Sequence, residues 1–357
     1  MLSNIEVERT PSPSPLPDAK VPVAFGSVFS DHVFRMNYDG NAWVHPRIVP
    51  YGSAGLSLGA SVLHYAQSVF EGLKAYVGDD HQVRVFRARA HAERFARSAK
   101  RMCMPEFPAE VFVQAILRLV AEDARWVGAI PDGALYIRPL MVATEPFLGV
   151  RPSKRYEVII MTCPVGTYAS KGFAPSRIWV EREAVRAAPG GIGEAKTGGN
   201  YAASLAGQMA AASRGYDQVL WTDAREHRLV EEVGTMNVFF RFKDEIATPS
   251  LSGTILSGIT RDSLIQIIKD DGVDVRERPI TVDEVQDGAR TGRLLEVFGS
   301  GTAAAVSPVG VLGFEDGDLT IGDGDVGPTA RALYRKLGDL HRGRTLDPHG
   351  WLTRVPV

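Results

Sequence analysis

The 357 residues carry 45% apolar and 23% charged side chains with a formal net charge of −2. That is ordinary globular composition in a chain too long for one ordinary core, so two domains of somewhat under about 200 residues each are expected. A charge this close to neutral excludes a general attraction for nucleic acid or an anionic membrane, and any anion site must be local.

The two cysteines, Cys103 and Cys163, lie far apart without metal-ligand spacing, so neither a disulfide framework nor a metal site is indicated and both are expected as reduced core thiols. No apolar run approaches the roughly 20 residues that span a bilayer. The first residues lack the basic-then-apolar order of a signal peptide, and a cytoplasmic location is expected.

Residues 1–20 include Thr10-Pro-Ser-Pro-Ser-Pro-Leu-Pro, whose prolines cannot donate to a hydrogen-bond ladder, and read as a flexible arm. A hairpin is predicted over Val33 to Val44 around Asp39-Gly40, and another over Leu73 to Phe86 around Gly78-Asp79-Asp80. Between them Ser61 to Phe70 reads as a short helix. Helical periodicity follows over Ala88 to Met102 and over Pro108 to Asp123, where Val111, Ile116, Leu119 and Val120 form an apolar stripe. Two β-rich runs, Ala134 to Val142 and Tyr156 to Thr162, close this half.

The composition turns to small residues and proline near Val165 to Pro175, which marks a connection at 166–176 between a small domain (21–165) and a large one (177–357). The large domain reads as a strand at Arg177 to Glu181, a helix over Ala202 to Ser213, and strands at Gln218 to Trp221, Leu229 to Val233 and Asn237 to Phe242. A helix over Thr260 to Lys269, a strand at Leu294 to Phe298 and a helix near Pro328 to His341 complete it. Strands clustered between helices indicate an α+β fold, its second half with a β-barrel-like core.

Chemistry concentrates in a few short stretches. Gly190-Gly-Ile-Gly-Glu-Ala-Lys196-Thr-Gly-Gly-Asn-Tyr201 holds one lysine between two glycine-rich bends, as a covalent lysine would be presented. An amine of pKa about 10.4 must lose its proton before it can attack a carbonyl. A loop lysine in a Gly-rich turn is the plainer reading of those residues alone. Leu256-Ser-Gly-Ile259-Thr260-Arg runs into a helix whose first amides would face an anion, or is an ordinary helix start. Glu232 in Val230-Glu-Glu-Val-Gly-Thr-Met-Asn is either a solvated strand edge or a carboxylate for a pyridine nitrogen, with Glu231 on the opposite face. Gly299-Ser-Gly-Thr302-Ala303 is a small-residue turn able to cradle an anion.

Taken together, Lys196-Thr-Gly-Gly-Asn-Tyr, Glu232-Val-Gly-Thr-Met-Asn, Leu256-Ser-Gly-Ile-Thr-Arg and Phe298-Gly-Ser-Gly-Thr-Ala resemble the fold-type IV pyridoxal-phosphate enzymes. With Phe25-Gly-Ser-Val-Phe-Ser-Asp-His, His64-Tyr-Ala-Gln-Ser-Val-Phe-Glu-Gly, Leu135-Tyr-Ile-Arg-Pro and Cys163-Pro-Val-Gly-Thr-Tyr, the chain is similar to the branched-chain amino acid aminotransferases from about residue 22 onward. The resemblance implies a homodimer using pyridoxal 5'-phosphate to move the amino group of L-leucine, L-isoleucine or L-valine to 2-oxoglutarate. It implies an internal aldimine on Lys196, which also shuttles the α-proton. Glu232 would sit on the pyridine nitrogen, Tyr201 on the ring hydroxyl, and Arg94 with the amides of Ile259, Thr260 and Thr302 on the phosphate.

For the substrate the resemblance implies an aromatic wall of Phe25, Tyr65, Tyr136 and Tyr168. The amides of Thr302 and Ala303 would lie near the α-carboxylate, and Arg138 would help accept the distal carboxylate of glutamate. A D-amino acid aminotransferase or an aminodeoxychorismate lyase would share the lysine and glutamate but not the Tyr136-Ile-Arg138 and Phe25-Gly elements. Ala304 and Ser307 stand where some animal members carry a Cys-x-x-Cys pair, so thiol control there is not expected.

Overall fold

The computed structural model describes residues 5–18, 20–52, 55–166 and 173–356. The chain divides into two compact units: Met1–Tyr168 with Ala195–Gly198 and Asp339–Val357, and Ala169–Glu194 with Gly199–Gly338.

The first unit is built on a nine-stranded sheet. Its strands run in the order Glu6–Val7, Trp43–Pro50, His32–Tyr38, Tyr156–Val165, Ala134–Ala143, Leu73–Val77, Val83–Phe86 and Leu352–Arg354, with Ser68–Phe70 also paired to Ala134–Ala143. The helix Ala88–Arg101 turns Ala88, His91, Ala92, Arg94, Phe95, Ser98 and Ala99 inward at three- and four-residue spacing, and Ala109–Glu122 likewise buries Phe112, Ala115, Ile116, Leu119 and Val120. Phe95 and Phe112 are fully buried and pack at 5.4 Å between ring centroids. Each such ring contributes roughly 1.5–3 kcal/mol by leaving water. The same inner face therefore carries both core aromatics and the polar trio His91, Arg94 and Ser98.

Several expectations are corrected here. The segment read as a flexible arm pairs instead with the sheet, Glu6 opposite Arg47 and Val7 opposite Ile48, while Ser14 N donates to Asp31 at 2.8 Å. Prolines remove only their own donors, and the residues between them keep theirs. The predicted helix from Ser61 ends at Tyr65, because Ala66 takes a left-handed conformation (φ 51°), and Ser68–Phe70 becomes a strand. Residues 339–357, expected in the large domain, group with the first unit, where Leu352–Arg354 covers the open edge of Val83–Phe86. Of the connection expected at 166–176, residues 167–172 lie outside the described ones.

Cys103 is exposed rather than a core thiol, whereas Cys163 is buried and its thiol is pushed up to about 11 by burial. A thiol reagent on the native protein at mildly alkaline pH is therefore expected to label one cysteine, and Cys103→Ser to abolish that labelling until the chain is denatured. Two fast-reacting thiols in the native state would contradict this placement.

The second unit is also nine-stranded, in the order Val230–Val233, Gln218–Thr222, Ser176–Val180, Ala305–Phe314, Leu294–Gly301, Asn237–Phe242, Ile246–Thr248 and Val275–Glu277, with Gly317–Thr320 on Ala305–Phe314. Its first strand returns to its sixth through a two-residue turn, in which Val233 and Met236 exchange both backbone hydrogen bonds at 2.9 Å. Gly234 supplies the positive φ (57°) that such a turn needs. Six strands thus curl into a ring around Val238, Phe240, Val297 and Leu312, the expected barrel-like core. The helices Ile259–Asp270 and Val282–Arg290 contact the strand Leu294–Gly301. Among the described residues no helix is long and apolar enough to cross a membrane.

Candidate active site

In the first unit Lys196 is held by its backbone. Its N–H donates to Ser98 Oγ at 3.0 Å, its carbonyl accepts from Phe70 N at 3.0 Å, and Thr197 Oγ1 donates to Ser68 O at 2.7 Å. The helix Ala88–Arg101 and the strand Ser68–Phe70 thereby fix the chain on both sides of the lysine. The side chain lies over the Phe70 ring with Nζ 4.8 Å from its centroid, a cation–π placement.

Glu71 follows that strand and is fully buried. Its Oε1 accepts from Arg94 Nε at 2.7 Å, and its Oε2 accepts from Arg94 Nη2 at 2.9 Å, His91 Nδ1 at 2.7 Å and Gly72 N at 3.1 Å. Burial alone would raise this carboxyl, but the Arg94 charge, with His91, holds it well below the usual carboxylate range. Burial pushes the His91 imidazole below its ordinary value, so it donates Nδ1–H as a neutral ring. The helix spacing His91 and Arg94 (i, i+3) puts both donors on one carboxylate. Arg94 is thus aligned bidentately at the inner face rather than waving from the helix.

Of the aromatic group, Phe25 meets Tyr136 edge to face at 4.8 Å. Arg138 donates to Tyr136 Oη at 2.9 Å and stacks over the Phe70 ring at 4.7 Å, while its buried Nε has no hydrogen-bond partner among the described residues. The Phe70 ring is therefore shared by Lys196 and Arg138. Tyr65 is partly exposed and its hydroxyl reaches Leu148 O. Tyr168 lies outside the described residues.

In the second unit both acids of the strand Val230–Val233 are buried, not a solvated edge. Glu232 Oε1 accepts from Leu256 N at 2.8 Å, and Oε2 lies 3.3 Å from Arg186 Nε. Arg186 Nη2 also donates to the carbonyls of Gly193 and Thr254, which ties three loops to this carboxylate. Neither Arg186 nor Glu71 is singled out by its sequence context, since each partner is remote along the chain.

The helix Ile259–Asp270 starts at Gly258 without a side-chain cap, although Ile259 and Thr260 are buried. Asn237 Nδ2 donates to Leu256 O at 2.9 Å and crowds the same loop, so that a Cβ on Gly258 would collide with Asn237 Oδ1. Only glycine allows that approach. Thr302 and Ala303 form the turn of the hairpin in which Gly301 pairs with Ala305, beside Ser300, whose buried Oγ has no partner among the described residues. Tyr201 lies in the first turns of the helix Gly198–Ser213. Among the described residues no group of three or more His, Cys, Asp or Glu side chains could hold a metal ion.

Comparison with known proteins follows the same residues. The profile of the Amino-transferase class IV family matches residues 68–311. The branched-chain-amino-acid aminotransferase 2 of Bacillus subtilis (strain 168) is 46% identical over 352 residues, spanning 98% of this chain and 97% of its own. The crystal structure of the Escherichia coli branched-chain amino acid aminotransferase matches with a TM-score of 0.77 at 29% identity, over 91% of this chain and 99% of that one. The crystal structure of the T.th. branched-chain amino acid aminotransferase with pyridoxamine 5'-phosphate matches with a TM-score of 0.73 at 32% identity, over 90% of this chain and 98% of that one.

Proposed function

We propose a specific reaction from one premise: the chain belongs to the class IV amino-transferase family and within it is a branched-chain-amino-acid aminotransferase. The reaction is reversible transfer of the amino group of L-leucine, L-isoleucine or L-valine to 2-oxoglutarate, giving the branched-chain 2-oxo acid and L-glutamate. Enzymes of this class depend on pyridoxal 5'-phosphate, and two features of this chain fit that cofactor. Buried, uncapped amides at the start of Ile259–Asp270 suit a phosphate, and the buried Glu232 carboxylate suits a protonated pyridine nitrogen. When bound, the cofactor supplies a carbonyl carbon for an amine and a ring that takes up the electron pair left at a substrate α-carbon.

The residues then divide the work. Lys196 would supply the Nζ amine for that carbonyl carbon and would hold and move the proton at the substrate α-carbon. Glu232, steadied by Arg186 and Leu256 N, would keep the ring nitrogen protonated, and Tyr201 would hydrogen-bond the ring hydroxyl. Arg94 and the amides of Ile259, Thr260 and Thr302 are the groups that would hold the phosphate, each as a charge-assisted or amide donor. Phe25, Tyr65 and Tyr136, with Tyr168, enclose the branched side chain and exclude water. The amides of Thr302 and Ala303 orient the α-carboxylate, and Arg138 takes the distal carboxylate of the second substrate, for which its orphaned Nε supplies a donor. We place the enzyme in the cytoplasm as a homodimer acting on small molecules, without nucleic-acid or membrane partners.

The observation that carries this reading is the backbone clamp on Lys196, bonded to Ser98 on one side and Phe70 on the other, which holds one lysine at a fixed place. A panel of amino-acid donors with 2-oxoglutarate tests it. L-leucine, L-isoleucine and L-valine are expected to yield L-glutamate in ping-pong kinetics. Turnover of D-alanine with none of the three L-donors would overturn the substrate assignment.

A further inference from the structure

Tyr136 stands opposite Lys74 where Leu73–Val77 pairs with Ala134–Ala143, so the residue two before Lys74 is its diagonal neighbour on the same face of the sheet. That neighbour is Gly72, and the tyrosine ring lies back across it. A Cβ built on Gly72 would overlap Tyr136 Oη and stand 2.8 Å from Cζ, closer than non-bonded carbons come. The φ of Gly72 is not positive, so what the position excludes is a side chain and not a backbone conformation.

Neither partner has room to move. The Glu71 N–H donates to Pro139 O at 2.8 Å, the Gly72 N–H donates to Glu71 Oε2 at 3.1 Å, and Leu73 pairs with Ile137, which pins the backbone on both sides of the glycine. Tyr136 is 6% exposed and meets Phe25 edge to face, so its ring is packed in place as well. What the glycine admits is therefore one position of one hydroxyl. There Tyr136 Oη accepts from Arg138 Nη2 at 2.9 Å, a bond that uses a lone pair of the oxygen and leaves its O–H as a donor. A guanidinium and a phenolic O–H held side by side answer a carboxylate, whereas an alkyl group calls on neither.

We propose that Gly72 is a positioning residue for the distal carboxylate: by carrying no side chain it seats the Tyr136 hydroxyl where that hydroxyl aligns Arg138. The proposal rests on the reading of Arg138 as the residue that takes the distal carboxylate of the second substrate. A methyl group at position 72 drives the hydroxyl off Arg138 Nη2 but leaves an aromatic ring in the wall. The carboxylate-bearing substrate is then lost ahead of the branched aliphatic one, and the glycine acts on the choice between them.

The test uses the cofactor-loaded enzyme and two ligands that carry no amino or oxo group and cannot react: glutarate, with a distal carboxylate, and 4-methylpentanoate, with a branched alkyl end. In calorimetric titration the wild type is expected to bind both, and Arg138→Gln to lose glutarate selectively. Gly72→Ala is expected to weaken glutarate by at least about tenfold, the loss of a hydrogen bond to a charged group, and 4-methylpentanoate by no more than about threefold. A merely structural role would weaken both together. With the overlapping oxygen removed, Gly72→Ala/Tyr136→Phe is expected to bind glutarate within about threefold of Tyr136→Phe alone, because residue 72 acts through that hydroxyl. If Gly72→Ala does not fold, the double variant is expected to recover the thermal midpoint of Tyr136→Phe. Unchanged glutarate binding in a folded Gly72→Ala, equal loss of both ligands, additive losses in the double variant or no recovery of its midpoint would overturn the proposal. A wild type that binds no glutarate, or an Arg138→Gln variant that still does, would instead overturn the reading of Arg138, and the proposal with it.

Discussion

Lys196→Ala is expected to lower kcat/KM for L-leucine by at least about 10⁴-fold, the upper range for removing a positioned proton carrier, with the cofactor linkage lost as well. The substitution is unusually clean because the contacts that fix this residue are backbone ones. Alanine keeps the N–H to Ser98 Oγ and the carbonyl to Phe70 N, and it deletes the amine together with its approach to the Phe70 ring. A cation–π contact of this kind contributes about 0.5–1 kcal/mol, so the thermal midpoint should barely move while turnover collapses. The visible absorption that arises when the cofactor is joined to lysine should also disappear. A variant that unfolds early would make the result a statement about stability, and near-normal turnover in a well-folded variant would remove Lys196 from the chemistry.

How far such a site can be read from sequence depends on how local its chemistry is. The glycines around Lys196, the helix start at Gly258 and the Gly301–Ala305 hairpin are each contained in a few consecutive residues, and their backbone consequences follow from residue type. The barrel-like core was legible only coarsely, from strands clustered between helices, whereas the turn at Gly234 that brings Val230–Val233 back to Asn237–Phe242 is seen only in the folded chain. What escaped was pairing at a distance. Glu71 meets His91 and Arg94 only because the strand Ser68–Phe70 ends where the helix face turns inward, and Arg186 meets Glu232 across a fold that no spacing announces. The strand Ala305–Phe314 escaped because Pro308, Gly310 and Gly313 mask its β pattern, although Val309 and Leu312 are buried core. The C-terminal return to the first unit is likewise a matter of an open strand edge, which only the folded sheet reveals.

The Glu71 cluster also makes the largest stability prediction. In Glu71→Ala the guanidinium of Arg94, 4% exposed, and the imidazole of His91 lose their shared acceptor and stay buried. Breaking a buried pair from one side costs about 3–5 kcal/mol, so the thermal midpoint should fall by roughly 10 °C. Replacing both Glu71 and Arg94 by methionine should recover much of that loss, because no uncompensated charge remains, while cofactor affinity should stay low if Arg94 holds the phosphate. The two substitutions thereby separate packing from binding. The pH dependence follows from the same contacts. The Glu71 carboxyl is held below its ordinary value of 4.5, so the unfolded chain takes up that proton first and the stability it contributes is lost as pH falls below about 4.5. His91 is held below its ordinary 6.5, so the unfolded imidazole also binds a proton first, and stability already begins to decline as pH drops through 6.5. Both slopes have the same sign, and acid titration of the double-methionine variant should lack the lower one. An unchanged acid slope in that variant, or a Glu71→Ala protein as stable as the wild type, would show that this carboxylate is not what orders Arg94.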